Sequence, residues 1–256
     1  MNIIKHTKIA ILISAAFATF APLPALAEIP KPAQPEKRAD QFFADKCQEN
    51  LTSIKNANGE VDLVFVGDSI TDYWQEQPDW KKPFEPRKIL NLGISADKTE
   101  HVLWRLQHGE LDGYKARLFI VMIGTNNREP APEIAEGIKA ILDEIKKQQP
   151  QAQILLLGIF PRGEKETDAG RVRNVNVNQL IKKFNGGVVH YLDIGAKLLQ
   201  PDGTMSKEIM PDFLHPGAKG YSIWAEAIGT VIEELLKEPY SPIPSARLQK
   251  ATKESK

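Results

Sequence analysis

Cysteine is almost absent from this chain. Cys47 stands alone among 256 residues, so no internal disulfide can form and stability has to come from a packed core. A surplus of either charge is missing too, since 33 Lys and Arg balance 33 Asp and Glu. A neutral chain has no electrostatic reason to hold nucleic acid or an anionic membrane surface. Neither a G-x-x-x-x-G-K-[ST] loop nor a G-x-G-x-x-G turn occurs, which removes the common phosphate and dinucleotide cradles. Cys/His clusters, carboxylate cages and His pairs at i, i+4 are lacking as well, so no metal or other cofactor is expected.

The apolar run Ile9 to Phe20 is shorter than the roughly 20 residues that a spanning helix needs. Lys5 and Lys8 flank its start, and Ala25-Leu26-Ala27 follows it. That order of basic start, apolar segment and small-residue site reads as a secretory signal over residues 1–27. The mature chain is then expected to begin at Glu28, in the periplasm or outside the cell, with 31 basic against 33 acidic residues. A membrane anchor is the competing reading, and Pro22 and Pro24 speak against it. No stable membrane insertion is expected once the signal is gone.

Residues 28–37 form a Pro-rich lead-in and residues 239–256 a Pro- and Lys-rich tail, both expected to be mobile. Between them, residues 38–238 make one domain, large enough to bury a core. Five apolar runs read as buried strands: Val61 to Gly67, Ile89 to Gly93, Leu118 to Gly124, Ile154 to Phe160 and Val188 to Asp193. Helical patterns precede and separate them, over Gln41 to Ile54, Glu100 to Leu106, Pro132 to Gln149 and Val172 to Phe184, and Tyr221 to Lys237 follows the last. Alternation of this kind predicts an α/β fold, a parallel sheet covered on both faces. Its ligands would bind beyond the carboxyl ends of the strands. Gly67-Asp68-Ser69, Gly93-Ile94-Ser95-Ala96 and Gly124-Thr125-Asn126 each follow a strand, so all three fall at that edge.

An apolar strand running into Gly67-Asp68-Ser69 presents a serine hydroxyl at the sheet edge, which suggests a hydrolase. Acyl transfer by serine needs a base within hydrogen-bond reach and a third group to hold that base. His215 and Asp212, three residues apart in a loop before the last helix, suit those roles. Taken in isolation, an Asp-x-x-His reads as a turn cap beside a surface histidine rather than as a catalytic pair. Asn126 offers a side-chain N–H to a developing oxyanion, although Gly-Thr-Asn-Asn is also ordinary turn chemistry. Backbone N–H groups of Ser69 and of the Ser95-Ala96 turn would complete the oxyanion hole. Ile70, Thr125 and Leu214 flank these residues and would either crowd a short acyl pocket or point into the core. Ser69 does not sit in a G-x-S-x-G elbow, because residue 71 is Thr.

Together these blocks resemble the SGNH, or GDSL-type, hydrolases, and most of all the catalytic subunits of the intracellular platelet-activating-factor acetylhydrolases. The likeness is carried by Asn91-Leu92-Gly93-Ile94, His101 to Leu106, Gly124-Thr125-Asn126-Asn127, Gln149 to Ala152, Pro161-Arg162-Gly163-Glu164 and Asp212-Phe213-Leu214-His215. The resemblance implies a three-layer α/β/α, flavodoxin-like fold with Ser69 as nucleophile, His215 as base, Asp212 as its partner and Asn126 as an oxyanion donor. One position departs from it. Ala96 stands where the family has Gly, which keeps a backbone N–H but makes any positive φ costly. The expected protein is an exported serine esterase acting on short acyl, chiefly acetyl, esters of a carbohydrate or lipid, as a monomer or homodimer. A lysophospholipase or thioesterase with the same residues, and a noncatalytic carbohydrate-binding protein, are the alternatives.

Overall fold

Over most of their length the sheet strands bury both faces, which is why they are nearly unbroken apolar runs toward their carboxyl ends. The structure, a computed structural model, describes residues 28–77 and 80–237. The expected signal sequence and the tail lie outside the described residues. Strands β1 (Gly59–Gly67), β2 (Ile89–Asn91), β3 (Tyr114–Met122), β4 (Gln153–Leu157) and β5 (Val189–Leu192) pair in parallel in the order β2-β1-β3-β4-β5. The helices are α1 (Gln41–Ala57), α2 (Ser69–Asp72), α3 (Thr99–Arg105), α4 (Ala131–Gln148), α5 (Ala169–Ile181) and α6 (Ala218–Lys237).

Side chains alternate between the two sheet faces and so build two cores. Val64, Val66, Phe119 and Val121 pack with Ile54 of α1, Val102 of α3, Ile138 of α4 and Val177 of α5. Leu63, Phe65, Leu118 and Ile120 pack instead with Trp224, Ile228 and Ile232 of α6. Helices therefore cover both faces, giving the expected three-layer α/β/α fold. Burying one side chain such as Ile138 contributes about 1.5–3 kcal/mol, so both layers contribute heavily to stability.

The lead-in differs from expectation. Pro32 is buried, and its carbonyl would lie 2.4 Å from a Cβ at Gly137 of α4, so the chain docks where that helix has no side chain. The Glu36 N–H donates to Glu100 O at 3.1 Å. These residues carry no periodic pattern of their own, and a slot on α4 holds them.

The strand order reverses between β1 and β3, the point where open α/β sheets bind ligands. Gly67 is in register with Met122, so the segments carrying Ser69 and Asn126 leave the sheet side by side. The ladder continues past β2 through Leu92 N to Phe65 O and Ile94 N to Gly67 O. The turn at residues 95–96 thereby reaches the same edge.

Candidate active site

The first turn after β1 is the short helix α2. Asp68 caps it, accepting the Ile70 N–H at 3.0 Å. Gly93 lets the chain after β2 close on this turn, because a Cβ there would lie 2.4 Å from Asp72 N. No larger residue fits that approach.

Ser69 Oγ lies 2.9 Å from His215 Nε2, and His215 Nδ1 lies 2.6 Å from Asp212 Oδ2. An ionised carboxylate only accepts, so the ring proton sits on Nδ1 and leaves Nε2 to accept from the serine hydroxyl. Asp212 Oδ1 takes the Leu214 and His215 backbone N–H groups at 3.0 and 2.7 Å. Burial pushes Asp212 up, but the His215 backbone, the His215 ring and the Leu214 backbone outweigh it and hold the carboxyl below its ordinary value. The turn that makes this possible puts Phe213 at φ 60°, a left-handed conformation costing about 1–2 kcal/mol. Tyr73 lies over the imidazole, with ring centroids 5.1 Å apart.

Asn126 Nδ2 donates to Asp97 O at 3.0 Å, and an amide nitrogen has a second hydrogen to give. Ala96 adopts φ 67°, so the positive φ feared for this substitution is present and the strain is real. Strain gathered at residues 96 and 213 is the kind that functional sites hold in place through their surroundings.

That surrounding is a buried ionic network to which the sequence pattern assigned no role. Arg105 donates through Nε to Asp97 at 2.9 Å, through Nη2 to Gly67 O at 3.1 Å, and pairs with Glu110. Arg38 adds contacts to Ser95 O at 2.7 Å and Asp97 at 3.1 Å. Burial raises Asp97 to about 6, against the pull of both arginines. The end of β1 and the turn at 95–97 are thus bolted to one guanidinium. Arg105 lay within the His101 to Leu106 run, the one available signal.

Two of the three candidate acyl-pocket residues are placed elsewhere. Ile70 is 1% exposed and packs in the core beside Trp74, Phe65 and Trp224, while Thr125 is 1% exposed and its hydroxyl accepts from Asn174 and Arg162. Neither side chain walls an open pocket, because α2 turns Ile70 inward and Thr125 is held by polar partners. Leu214 stays partly exposed and leans on the same core. The other described histidines are taken up locally: His101 Nδ1 accepts the Lys98 N–H, His108 stacks on Trp104, and His190 pairs with Gln153. Among the described residues no group of three or more His, Cys, Asp or Glu is placed to hold a metal ion. No described helix is long and apolar enough to cross a membrane.

Such an array can deprotonate a hydroxyl and meet a growing negative charge, which is the chemistry of ester hydrolysis. Comparisons with known proteins agree. The platelet-activating factor acetylhydrolase IB subunit alpha2 of Rattus norvegicus is 40% identical over 215 residues, 83% of this chain and 92% of that protein. A GDSL-like lipase from Bacteroides thetaiotaomicron superposes with TM-score 0.61 at 18% identity, covering 75% of this chain and 97% of the other. An acetylxylan esterase from Geobacillus stearothermophilus does so with TM-score 0.51 at 20% identity, covering 69% and 95%. Residues 65–223 match the GDSL-like Lipase/Acylhydrolase family, and with the relatives this makes the chain a member of that family and a carboxylic ester hydrolase.

Proposed function

We propose that this is an exported serine esterase that removes short acyl groups, acetyl foremost, from a carbohydrate or lipid alcohol through an acyl-serine intermediate. The observation that carries it is the continuous chain Ser69 Oγ, His215 Nε2, His215 Nδ1, Asp212 Oδ2 at 2.9 and 2.6 Å. Ser69 attacks the ester carbonyl as His215 takes its proton. Asp212 holds the imidazole in the needed tautomer and stabilises the imidazolium. The Ser69 and Ala96 backbone N–H groups and the Asn126 amide receive the oxyanion. His215 then protonates the leaving alcohol, and a water activated by the same ring releases the acid.

The rat relative's name, an acetylhydrolase, supports acetyl as the acyl group. The acetylxylan esterase supports only that this fold can carry a sugar-ester hydrolase. Export rests on the Lys5, Lys8 and Ala25-Leu26-Ala27 pattern.

One measurement tests both parts. Intact mass of the protein recovered from the periplasm or medium after treatment with a fluorophosphonate should show a chain beginning at Glu28 and one adduct on Ser69. Ser69→Ala should fold, take no adduct and lose esterase activity. An unlabelled wild type would favour the noncatalytic carbohydrate-binding reading.

A further inference from the structure

The turn that carries Ala96 is strained, and a residue from outside the catalytic array holds it so. The Asp97 N–H donates to Ile94 O at 3.2 Å, which makes residues 94–97 a β-turn with Ser95 and Ala96 at its centre. Ala96, at φ 67°, fits the form of that turn whose third residue has positive φ, a position that favours glycine. An L-residue is strained there. The strain has an exit. Turning the central peptide, from Ser95 C=O to Ala96 N–H, by about 180° gives the form with negative φ at both central residues. A trans peptide is planar, so its C=O and N–H point in opposite directions. The exit therefore swings the Ala96 N–H to the other side of the chain.

Arg38 blocks it. Nη1 donates to Ser95 O at 2.7 Å and to Asp97 Oδ1 at 3.1 Å. One nitrogen thus grips the residues on both sides of Ala96, and it holds the same carbonyl that would have to turn. Asp72 cannot replace this contact, because it takes the Ser95 hydroxyl and the Ser95 N–H, neither of which belongs to the central peptide. A cation on the carbonyl also polarises the peptide and strengthens the N–H at its other end.

The guanidinium is itself aimed. Nε and Nη2 donate to the two oxygens of Asp40 at 2.9 and 3.2 Å, and Asp40 is fixed as the cap of α1 by the Phe43 N–H at 2.9 Å. The guanidinium carbon lies 5.2 Å from the Phe43 ring centroid. Upstream, the chain is anchored by Pro32 against Gly137 and by the Glu36 N–H on Glu100 O. Lys37 adds its ammonium 5.3 Å from the Trp104 ring centroid. The Arg38 side chain is only 15% exposed, and each of its nitrogens has a partner. It stands ahead of residues 65–223, which match the family.

We propose that Arg38 is a positioning residue for ester hydrolysis: it holds the Ser95–Ala96 peptide in the strained orientation that aims the Ala96 N–H at the developing oxyanion. The role rests on the esterase reading above, and the experiment separates the two.

The test compares kcat/KM for p-nitrophenyl acetate and for its thiono analogue, in which sulfur replaces the carbonyl oxygen. Sulfur is the weaker hydrogen-bond acceptor, so the oxo-to-thiono ratio reads how well N–H donors meet the oxyanion. Arg38→Ala is expected to lower both kcat and this ratio about tenfold or more, part of the roughly 10²–10³ carried by one oxyanion donor, with KM little changed. Should that variant fail to fold, Arg38→Lys, which keeps a cation for Asp97 but has no fork, is read in the same way. Adding Ala96→Gly to either variant should restore much of the ratio, since glycine accepts the positive φ without a clamp. An arginine that only stabilised the fold would, when replaced, slow both esters alike, and Ala96→Gly would not restore the ratio. Such parallel loss, or a folded Arg38 variant with the wild-type ratio, overturns the proposal and leaves the esterase standing. No turnover of either ester by the wild type, with Ser69 unreactive toward a fluorophosphonate, overturns the esterase and the positioning role with it.

Discussion

Asp72 Oδ2 accepts both the hydroxyl of Ser95 at 2.8 Å and its backbone N–H at 3.3 Å. The helix that begins at Ser69 is thereby fastened to the turn that carries Ala96, so the proposed nucleophile and oxyanion donor are positioned by one carboxylate. Lys46 neutralises it from α1 at 3.0 Å, and Gln75 donates to its other oxygen.

Asp72→Ala releases this clasp without touching any group proposed to meet substrate. The expected result is a fall in kcat of about ten- to a hundredfold, the scale of an ångström of misplacement near the chemistry, with KM little changed. Asp72→Asn, which keeps an acceptor oxygen, should restore most of the loss. Equal damage by both variants, tracking loss of fold in circular dichroism, would reduce Asp72 to a stabilising residue.

Ala96→Gly removes the strain at φ 67°. An L-residue there costs about 1–2 kcal/mol, and glycine returns roughly 0.4–1 kcal/mol of that through its freer unfolded chain. The variant is expected to be more stable by about 0.5–1 kcal/mol in urea denaturation, with kcat held. A lower urea midpoint would show that the Ala96 methyl packs to better effect than its backbone is strained.

The sheet was legible because strands buried on both faces must be apolar throughout, and all five runs became strands. Their ends were less so, since side chains end them. Asn178 takes both the N–H and the carbonyl of Ile159, so β4 stops at Leu157 although the apolar run continues to Phe160. Asn91 donates to Thr71 O and accepts the Gly93 N–H, which fastens the segment after β2 to α2 while its bonds to β1 run on through Leu92 and Ile94. Ser69, Asn126, Asp212 and His215 stood out because each lies in a short block of chemically special residues. The buried network of Arg38, Asp97 and Arg105 did not, because separate elements bring it together and no local spacing links it. The direction of Ile70 was equally hidden, since α2 is a single turn with no periodicity to read.

Asp68 gives stability a particular pH dependence. Burial pushes its carboxyl up to about 7, with the Ile70 N–H and Arg162 pulling down and Asp97 adding to the rise. An unfolded aspartate releases its proton near about 3.9. Between these values the folded state binds more protons than the unfolded one. The contribution is therefore complete below about pH 4 and is lost as pH rises through about 7. Asp68→Asn keeps an acceptor for the Ile70 N–H and never ionises. Urea midpoints of variant and wild type are expected to draw apart between pH 4 and pH 8, the variant gaining steadily. A difference that stays constant over that range would mean Asp68 titrates alike in both states.

Acyl length remains the sharpest test of what the site admits. Ile70 and Thr125 do not wall a pocket, yet their burial has the same consequence by another route: Ile70, the residue after Ser69, is 1% exposed in the core cluster that also holds Trp74 and Phe65, so it offers an acyl chain no open surface. Leu214, next to His215 in the turn, is the one of the three that stays partly exposed. An acetyl methyl needs little room, whereas each further methylene that finds no apolar surface forgoes about 0.8 kcal/mol and must displace packed atoms to gain it. With p-nitrophenyl esters, kcat/KM is expected to peak at acetyl or propionyl and to drop by octanoyl. Leu214→Ala should move the peak toward longer chains. A flat or rising profile in the wild type would instead favour the lysophospholipase or thioesterase reading, with the acyl chain lying across the surface near Tyr73 and Leu214 and not beneath the serine.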